Sequence, residues 1–258
     1  MRVIHMINTV MQLKRMLVLL LCLIICTGCS TGTDFLPAAE VVEQPGKTAY
    51  MALTFDDGPS EKYTPQLLDG LKERDVHVTF FLVGNLAETN DALVWRIAAE
   101  GHQIGNHSYD HAKLSGMTEW EAKQDVYKCR EILCQILGEG EYWVRPPYGC
   151  LSEGEKCVME VPLINWSVDP EDWKVQDTDE ILDVIYRDCF DGCIILLHDQ
   201  YAPTVEAALE AIDHLSAQGV QFVTVEELFQ IKGVIPEAGV VYRAVQAEPQ
   251  EETAEENG

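Results

Sequence analysis

Positive charge is scarce in this chain. Its 258 residues include 18 Lys and Arg against 43 Asp and Glu, a formal charge of −25. A surface this poor in cations repels phosphate backbones and anionic headgroups, which argues against nucleic acid and acidic membrane surfaces as partners. The acidity is read as a solubility feature. Long apolar runs are also lacking: the run 17–25 is the most hydrophobic and falls short of the roughly 20 residues a membrane span needs. Beyond residue 29 no two Cys are spaced Cys-x-x-Cys, so a structural zinc site built from thiolates is not expected. No internal repeat is found. Apolar residues make up 47% of the chain, enough for one sizeable core.

The first thirty residues differ from the rest. Lys14-Arg15, the apolar run and the small residues up to Cys29-Ser30 have the layout of an export signal. The junction resembles a bacterial lipobox, with Cys29 bearing the lipid and Cys26 standing where Leu is usual. The domain plan is therefore a lipoprotein-type signal peptide over 1–28, a linker over 29–47 and one domain over 48–235. An acidic tail over 236–258, rich in Glu248, Glu251, Glu252, Glu255 and Glu256, is expected to be disordered. The expected location is extracytoplasmic, in a bacterial cell envelope, with membrane contact only through Cys29. An exported domain can hold disulfides. Cys129, Cys134, Cys150, Cys157, Cys189 and Cys193 allow 15 pairings; Cys150–Cys157 is the preferred local bridge, and buried free thiols are the alternative.

Strand and helix patterns alternate through the domain. Strands are expected near 50–53, 76–83, 102–106, 143–145, 163–168, 193–197 and 220–224. Helices are expected over 61–74, 87–100, 118–137, 178–188, 205–217 and 226–231. Thr118 with Glu121 forms a capping-box pattern before the third helix, and Gly138 stops it. About seven strands alternating with helices imply parallel βα units, whose closed form is a βα barrel. Such barrels gather their active sites at the C-terminal strand ends. Polar residues fall there: Asp56 and Asp57, His107 and His111, Arg145, Asp169 and Asp172, His198 and Asp199.

Those residues permit specific chemistry. Thr54-Phe55-Asp56-Asp57-Gly58-Pro59 ends a strand in a turn, which can re-aim one of two adjacent carboxylates. One then binds a metal while the other handles a proton; a plain acidic turn is the competing reading. His107 and His111 stand four apart, a spacing for two ligands on one ion. With one Asp they make a three-ligand site of the catalytic type. Arg145, stiffened by two following prolines, has the fork to hold a carboxylate. An acidic partner such as Asp169 would fix the tautomer of His198 and raise its pKa, making it a general acid. Tyr148 and Trp173 are candidate walls for a sugar, with packing as the alternative.

With these residues in view, the chain resembles the polysaccharide deacetylases of carbohydrate esterase family four. Five motifs carry the resemblance in order: Thr-Phe-Asp-Asp-Gly-Pro at 54–59, His-Ser-Tyr-Asp-His at 107–111, Arg-Pro-Pro-Tyr-Gly at 145–149, Asp-Pro-Glu-Asp-Trp at 169–173 and Leu-Leu-His at 196–198. The resemblance implies a distorted βα barrel. It also implies a divalent metal, zinc by preference, on Asp57, His107 and His111. Asp56 would be the base, oriented by Arg145, and His198 the acid, tuned by Asp169. The N–H of Tyr148 would face the oxyanion, and Trp173 and Leu196 would shape an acetyl pocket. The implied reaction is hydrolysis of N-acetyl groups on an aminosugar polymer, peptidoglycan before others, with release of acetate. An O-acetyl esterase acting on acetylated xylan is the alternative within the same machinery. A non-catalytic glycan-binding lipoprotein would require a missing ligand or base, and none is missing.

Overall fold

Strand β1 (Tyr50–Gly58) organises the molecule. Residues 51–56 are buried throughout, as expected of a strand with structure on both faces. The other strands are β2 (Thr79–Leu82), β3 (Gln103–Asn106), β4 (Leu163–Ile164), β5 (Ile194–His198), β6 (Gln221–Phe222) and β7 (Val241–Tyr242). The structure is a computed structural model that describes residues 48–246. β1 lies parallel between β2 and β5 and meets β6 at its start. β3 extends the sheet beyond β2, and β4 pairs in parallel with β7. Single bridges close the ring: Asn106 to Val144, Val144 to Leu163, and Val168 to Ile195. The stretch 163–168 thus joins β7 at one end and β5 at the other, making a distorted parallel barrel.

Helices α1 (Thr64–Glu73), α2 (Gly84–Thr89), α3 (Asp91–Ala99), α4 (Glu119–Leu137), α5 (Glu153–Cys157), α6 (Asp172–Val175), α7 (Thr178–Asp188), α8 (Ala202–Ala217) and α9 (Val225–Lys232) connect the strands. The strand period of two sorts the β1 side chains. Met51, Leu53 and Phe55 join the cluster that includes Leu67, Leu68 and Leu71 of α1 and Ala207, Ala208 and Ala211 of α8. Ala52 joins a second cluster with Phe81, Ile164, Ile194 and Phe229. Burying a side chain the size of Phe55 stabilises the fold by about 1.5–3 kcal/mol. Thr54 and Asp56 share the face of Ala52 and so point at the barrel's interior.

The alternation read from the sequence is present, with local differences. The box at Thr118 and Glu121 caps α4, and Gly138, at φ 97°, ends it. The single helix expected over 87–100 is two, because Asn90 breaks it; its Nδ2 donates to Leu86 O at 3.0 Å, satisfying an end carbonyl. The strand expected at 143–145 shrinks to a bridge at Val144. Pro146 and Pro147 follow, without an N–H to continue a ladder. Cys150 and Cys157 are exposed and unpaired, so the expected bridge is not formed; the other four Cys of the domain are free too, Cys129 and Cys193 buried and Cys134 and Cys189 partly so.

The domain boundary at 235 is corrected as well. Val241–Tyr242 pairs with β4, Val245 is 1% exposed, and its N–H donates to Gly192 O at 2.8 Å. A Cβ on Gly192, at φ 96°, would collide with Val245 O, so glycine is required at that close approach. The β-type run Val240-Val241-Tyr242 was outweighed in the sequence by the acidic residues after it. The signal peptide, the anchor at Cys29, the linker and residues 247–258 of the expected tail lie outside the described residues. A chain cut after Ile235 is expected to lose about 3 kcal/mol or more of stability, from one buried valine and the lost edge hydrogen bonds. A cut after residue 246 should leave it unchanged. Chemical denaturation of the two truncations checks this.

Candidate active site

Register explains why distant motifs meet. Asp56 pairs directly with His198, and Leu82 with Asn106. Asn106 O accepts from Arg145 N–H at 2.9 Å, and Leu82 O accepts from His107 N–H at 2.9 Å. Four chain segments therefore end at one level, with Asp56, His107, Arg145 and His198 at the barrel's C-terminal mouth.

The two adjacent carboxylates take different directions. Asp56 follows the strand alternation inward and is 2% exposed. Asp57 would point the other way, but the β1–β2 register slips between Asp56 and Gly58, and Asp57 is left-handed at φ 66°. The slip re-aims its side chain into the same mouth. Its Oδ1 lies 3.3 Å from His107 Nε2 and 3.1 Å from His111 Nε2. Ser108, His111 and Tyr148 are also left-handed, at φ 65°, 54° and 61°. Such outliers concentrate where function demands a geometry that the chain disfavours.

A divalent cation fits these residues. His107 Nδ1 lies 2.7 Å from Arg145 O; a carbonyl only accepts, so Nδ1 carries the proton and donates. The Nε2 of the neutral ring then presents a lone pair to Asp57 Oδ1 and, at 3.5 Å, to Asp56 Oδ2. Only a proton or a cation between them makes that arrangement favourable. Asp57 Oδ1 is buried with no hydrogen-bond partner among the described residues. One ligand atom from each of Asp57, His107 and His111 lies within 4.8 Å of the others. The donor set of two imidazoles and one carboxylate, with His107 braced by a carbonyl behind it, is that of an open metal site. Without a cation, protons on the facing nitrogens of His107 and His111 take its place: they outweigh the burial that opposes ionisation of Asp57 and hold its carboxyl well below the usual range. Asp57 in turn raises the pKa of His111.

Arg145 is fully buried, and each of its three nitrogens donates a hydrogen bond. Its Nη1 donates to Asp56 Oδ1 and to Thr54 Oγ1, both at 2.7 Å; Nε donates to Ile164 O at 3.0 Å and Nη2 to Asn165 O at 3.1 Å. Its guanidinium lies 4.1 Å from the Phe81 ring centre. Burial lowers its pKa against the opposing pull of Asp56. Thr54 donates its own hydroxyl to Ile195 O at 2.7 Å, which leaves its lone pairs for Arg145. The sequence offered no signal for Thr54 beyond its place in the motif.

His198 has a different partner from the expected one. Its Nδ1 donates to Asp172 Oδ1 at 2.8 Å, and its backbone N–H donates to Asp172 Oδ2 at 2.8 Å. Thr204 Oγ1 donates to the same Oδ2 at 2.9 Å. Asp169 instead is exposed and holds its own loop, accepting from Trp166 Nε1 at 3.0 Å and from the Glu171 N–H at 2.9 Å. The pairing follows from the turn: Glu171 is left-handed at φ 52°, and α6 begins at Asp172, which carries that side chain inward. Burial alone would push the His198 imidazole down. Asp172, with Asp56 and Asp57 farther off, more than offsets this and raises it to about 9. Its Nε2 faces the mouth, 4.0 Å from Asp57 Oδ2.

The rim carries the expected apolar residues. Tyr148 and Trp173 are 60% and 50% exposed, while Leu196 is 3% exposed on the inward face of β5. The Tyr148 ring centre lies 5.0 Å from that of His111. Two large aromatics left in water beside polar groups are suited to stacking on a sugar rather than to packing.

Comparison with known proteins agrees with this geometry. Residues 43–157 match the polysaccharide deacetylase family. A peptidoglycan-N-acetylglucosamine deacetylase of Bacillus cereus is 39% identical over 193 residues, 72% of this chain and 70% of that protein. The Bacillus subtilis peptidoglycan-N-acetylmuramic acid deacetylase PdaC is 38% identical over 76% of this chain; the chain spans only 42% of its length. A solved structure of a family 4 acetyl xylan esterase from Clostridium thermocellum with a cobalt ion superposes with a TM-score of 0.72 at 30% identity, covering 76% of this chain and 98% of that one.

The assignment of Asp172 rather than Asp169 is testable by NMR titration of His198 in the metal-free protein. Asp172→Asn removes the group that holds the proton, so burial then dominates and the imidazole should titrate below its ordinary value of about 6.5. Asp169→Asn should leave it near 9. The reverse result would reinstate Asp169.

Proposed function

The chain belongs to the polysaccharide deacetylase family, and on that premise we propose that it hydrolyses N-acetyl groups on an aminosugar polymer of the bacterial cell wall, releasing acetate and a free amine. One observation carries this reading: a carboxylate base, Asp56, and an imidazolium acid, His198, flank a three-ligand cluster in a single mouth. A divalent cation on Asp57, His107 and His111, with zinc the best fit to two nitrogens and one oxygen, would act as a Lewis acid toward the acetyl carbonyl and an attacking water.

The chain's own residues do the rest. Arg145 occupies Asp56 Oδ1, which leaves Oδ2 to take the proton of water as its oxygen bonds to the carbonyl carbon. The backbone N–H of Tyr148 donates to the carbonyl oxygen as that oxygen gains charge. An amine leaves poorly unless it is protonated. His198, raised to about 9, is cationic at neutral pH and gives its Nε2 proton to the nitrogen as the C–N bond breaks. Asp172 keeps the ring in the orientation this transfer needs. Leu196 and Trp173 shape a pocket for the methyl group, and Tyr148 lies along the sugar.

Peptidoglycan is the preferred polymer. The relatives named for it reach 39% identity, against 30% for the acetyl xylan esterase. The export signal and lipobox read over residues 1–30 suit a lipid-anchored protein in the envelope, where that polymer lies. Esterase activity on an O-acetylated glycan is the second reading, supported by the same likeness to the xylan esterase.

Acetate release from peptidoglycan fragments, N-acetylglucosamine oligomers and acetylated xylan tests the proposal. The amide substrates should be turned over faster than the ester. Chelation should abolish release and added zinc restore it. Asp56→Asn and His198→Ala should each lower kcat by about 10²–10⁴-fold. Equal acetate release by wild type and Asp56→Asn would overturn the reading.

A further inference from the structure

Two residues that no step of the reaction uses stand directly after His198. Asp199 is fully buried and Gln200 half-buried. Both reach back to the turn that re-aims Asp57. Gln200 Nε2 donates to Asp57 O at 2.6 Å. The Asp199 carboxyl lies flat on Gly58, whose position leaves no room for a side chain: a Cβ there would stand 2.7 Å from Asp199 Oδ1 and 3.0 Å from Oδ2. Thr64 Oγ1 donates to Asp199 Oδ2 and accepts the N–H of Ser60 at 2.7 Å. On the opposite side Gly58 O accepts from the Val83 N–H at 3.0 Å. The turn 57–60 is thus gripped from the end of β2 by backbone and from the end of β5 by side chains.

The grip bears on an unfavourable conformation. A residue with a Cβ rarely adopts the left-handed region, and Asp57 does so at φ 66°. In the relaxed extended form its side chain would follow the alternation away from His107 and His111. Asp199 Oδ1 has no hydrogen-bond partner among the described residues. A group kept only for packing would be better served by an apolar side chain of similar volume, because a buried polar atom left unpaired is costly.

We propose that Asp199 and Gln200 are positioning residues that clamp the left-handed Asp57–Gly58 turn and so hold the Asp57 carboxylate where it converges with His107 and His111 on one divalent cation. The proposal rests on the metal site of the proposed function, yet metal affinity reads it without the reaction.

The test uses the full chain and Zn²⁺, with affinity measured by competition against a chromophoric chelator at fixed pH and melting temperature measured without metal. Gln200→Leu keeps the volume and removes the donor. It should bind zinc about 10- to 100-fold more weakly, the usual effect of losing a group that orients a metal ligand, with its metal-free melting temperature nearly unchanged. Asp199→Ala should weaken zinc at least as much, and Asp199→Asn, which keeps the shape and the acceptor for Thr64, should recover most of the affinity. Wild-type zinc affinity in Gln200→Leu overturns the proposal, whatever the melting temperature. If Asp199→Ala does not fold, the half-buried Gln200 decides alone. A wild type that binds no zinc overturns the clamp too. If the wild type binds zinc and releases no acetate, the deacetylase reading falls while the affinities still decide the clamp.

Discussion

A guanidinium with no exposed surface holds this site together. Arg145 donates to β1 through Thr54 and Asp56, and to the carbonyls of Ile164 and Asn165 on the segment that closes the ring. A buried charge is tolerable only when its partners are complete, and removing one partner of such a pair typically costs about 3–5 kcal/mol. The interaction that fixes the orientation of Asp56 is therefore also one that ties the closing strand to the first. Barrel closure and the geometry of Asp56 cannot vary independently. Arg145 acts a second time through its backbone, since its carbonyl accepts from His107 Nδ1 and sets which nitrogen of that ring faces the cluster.

Around that anchor, charge is divided by direction rather than by residue type. Asp56 and Asp57 are neighbours in the chain and chemically identical, yet one faces an arginine and the other two histidines. Strand alternation aims the first, and a register slip with a left-handed backbone aims the second. Asp172 takes a third position, behind His198, where it keeps a proton on the imidazole. Three carboxylates in one mouth repel each other unless each has its own cationic or proton-bearing partner. The structure supplies Arg145, the Asp57–His107–His111 cluster and His198 for that purpose. The scarcity of Lys and Arg elsewhere does not extend to this place.

Much of this was legible in the chain itself. The five motifs each end or follow a strand or bridge, and the parallel register of β1, β2, β3 and β5 turns that sequential pattern into one ring of side chains. Other features were not legible, for identifiable reasons. Asp169 and Asp172 stand three apart in one motif, and only the left-handed turn at Glu171 decides which faces His198. Cys150 and Cys157 are close in sequence, but their pairing depends on the course of the loop and of α5, which nearby spacing does not encode. Val241 and Val245 are apolar residues beside an acidic run; whether they join the fold depends on whether β4 leaves an edge free for Val241 and Gly192 a carbonyl for Val245.

Local chemistry in the sequence determined the βα alternation, the helix caps and the candidate ligands, and it placed two adjacent carboxylates and a histidine at strand ends as candidates for proton transfer. These depend on side-chain type, on a period of two or 3.6 residues and on short spacings, all of which a chain carries before it folds. Tertiary structure alone decided which carboxylate pairs with His198, how Asp57 leaves the strand alternation, and that Val241 to Val245 belong to the domain. Each of those depends on contacts between residues far apart in the chain, or on one backbone angle that distant packing holds in a region the residue itself disfavours.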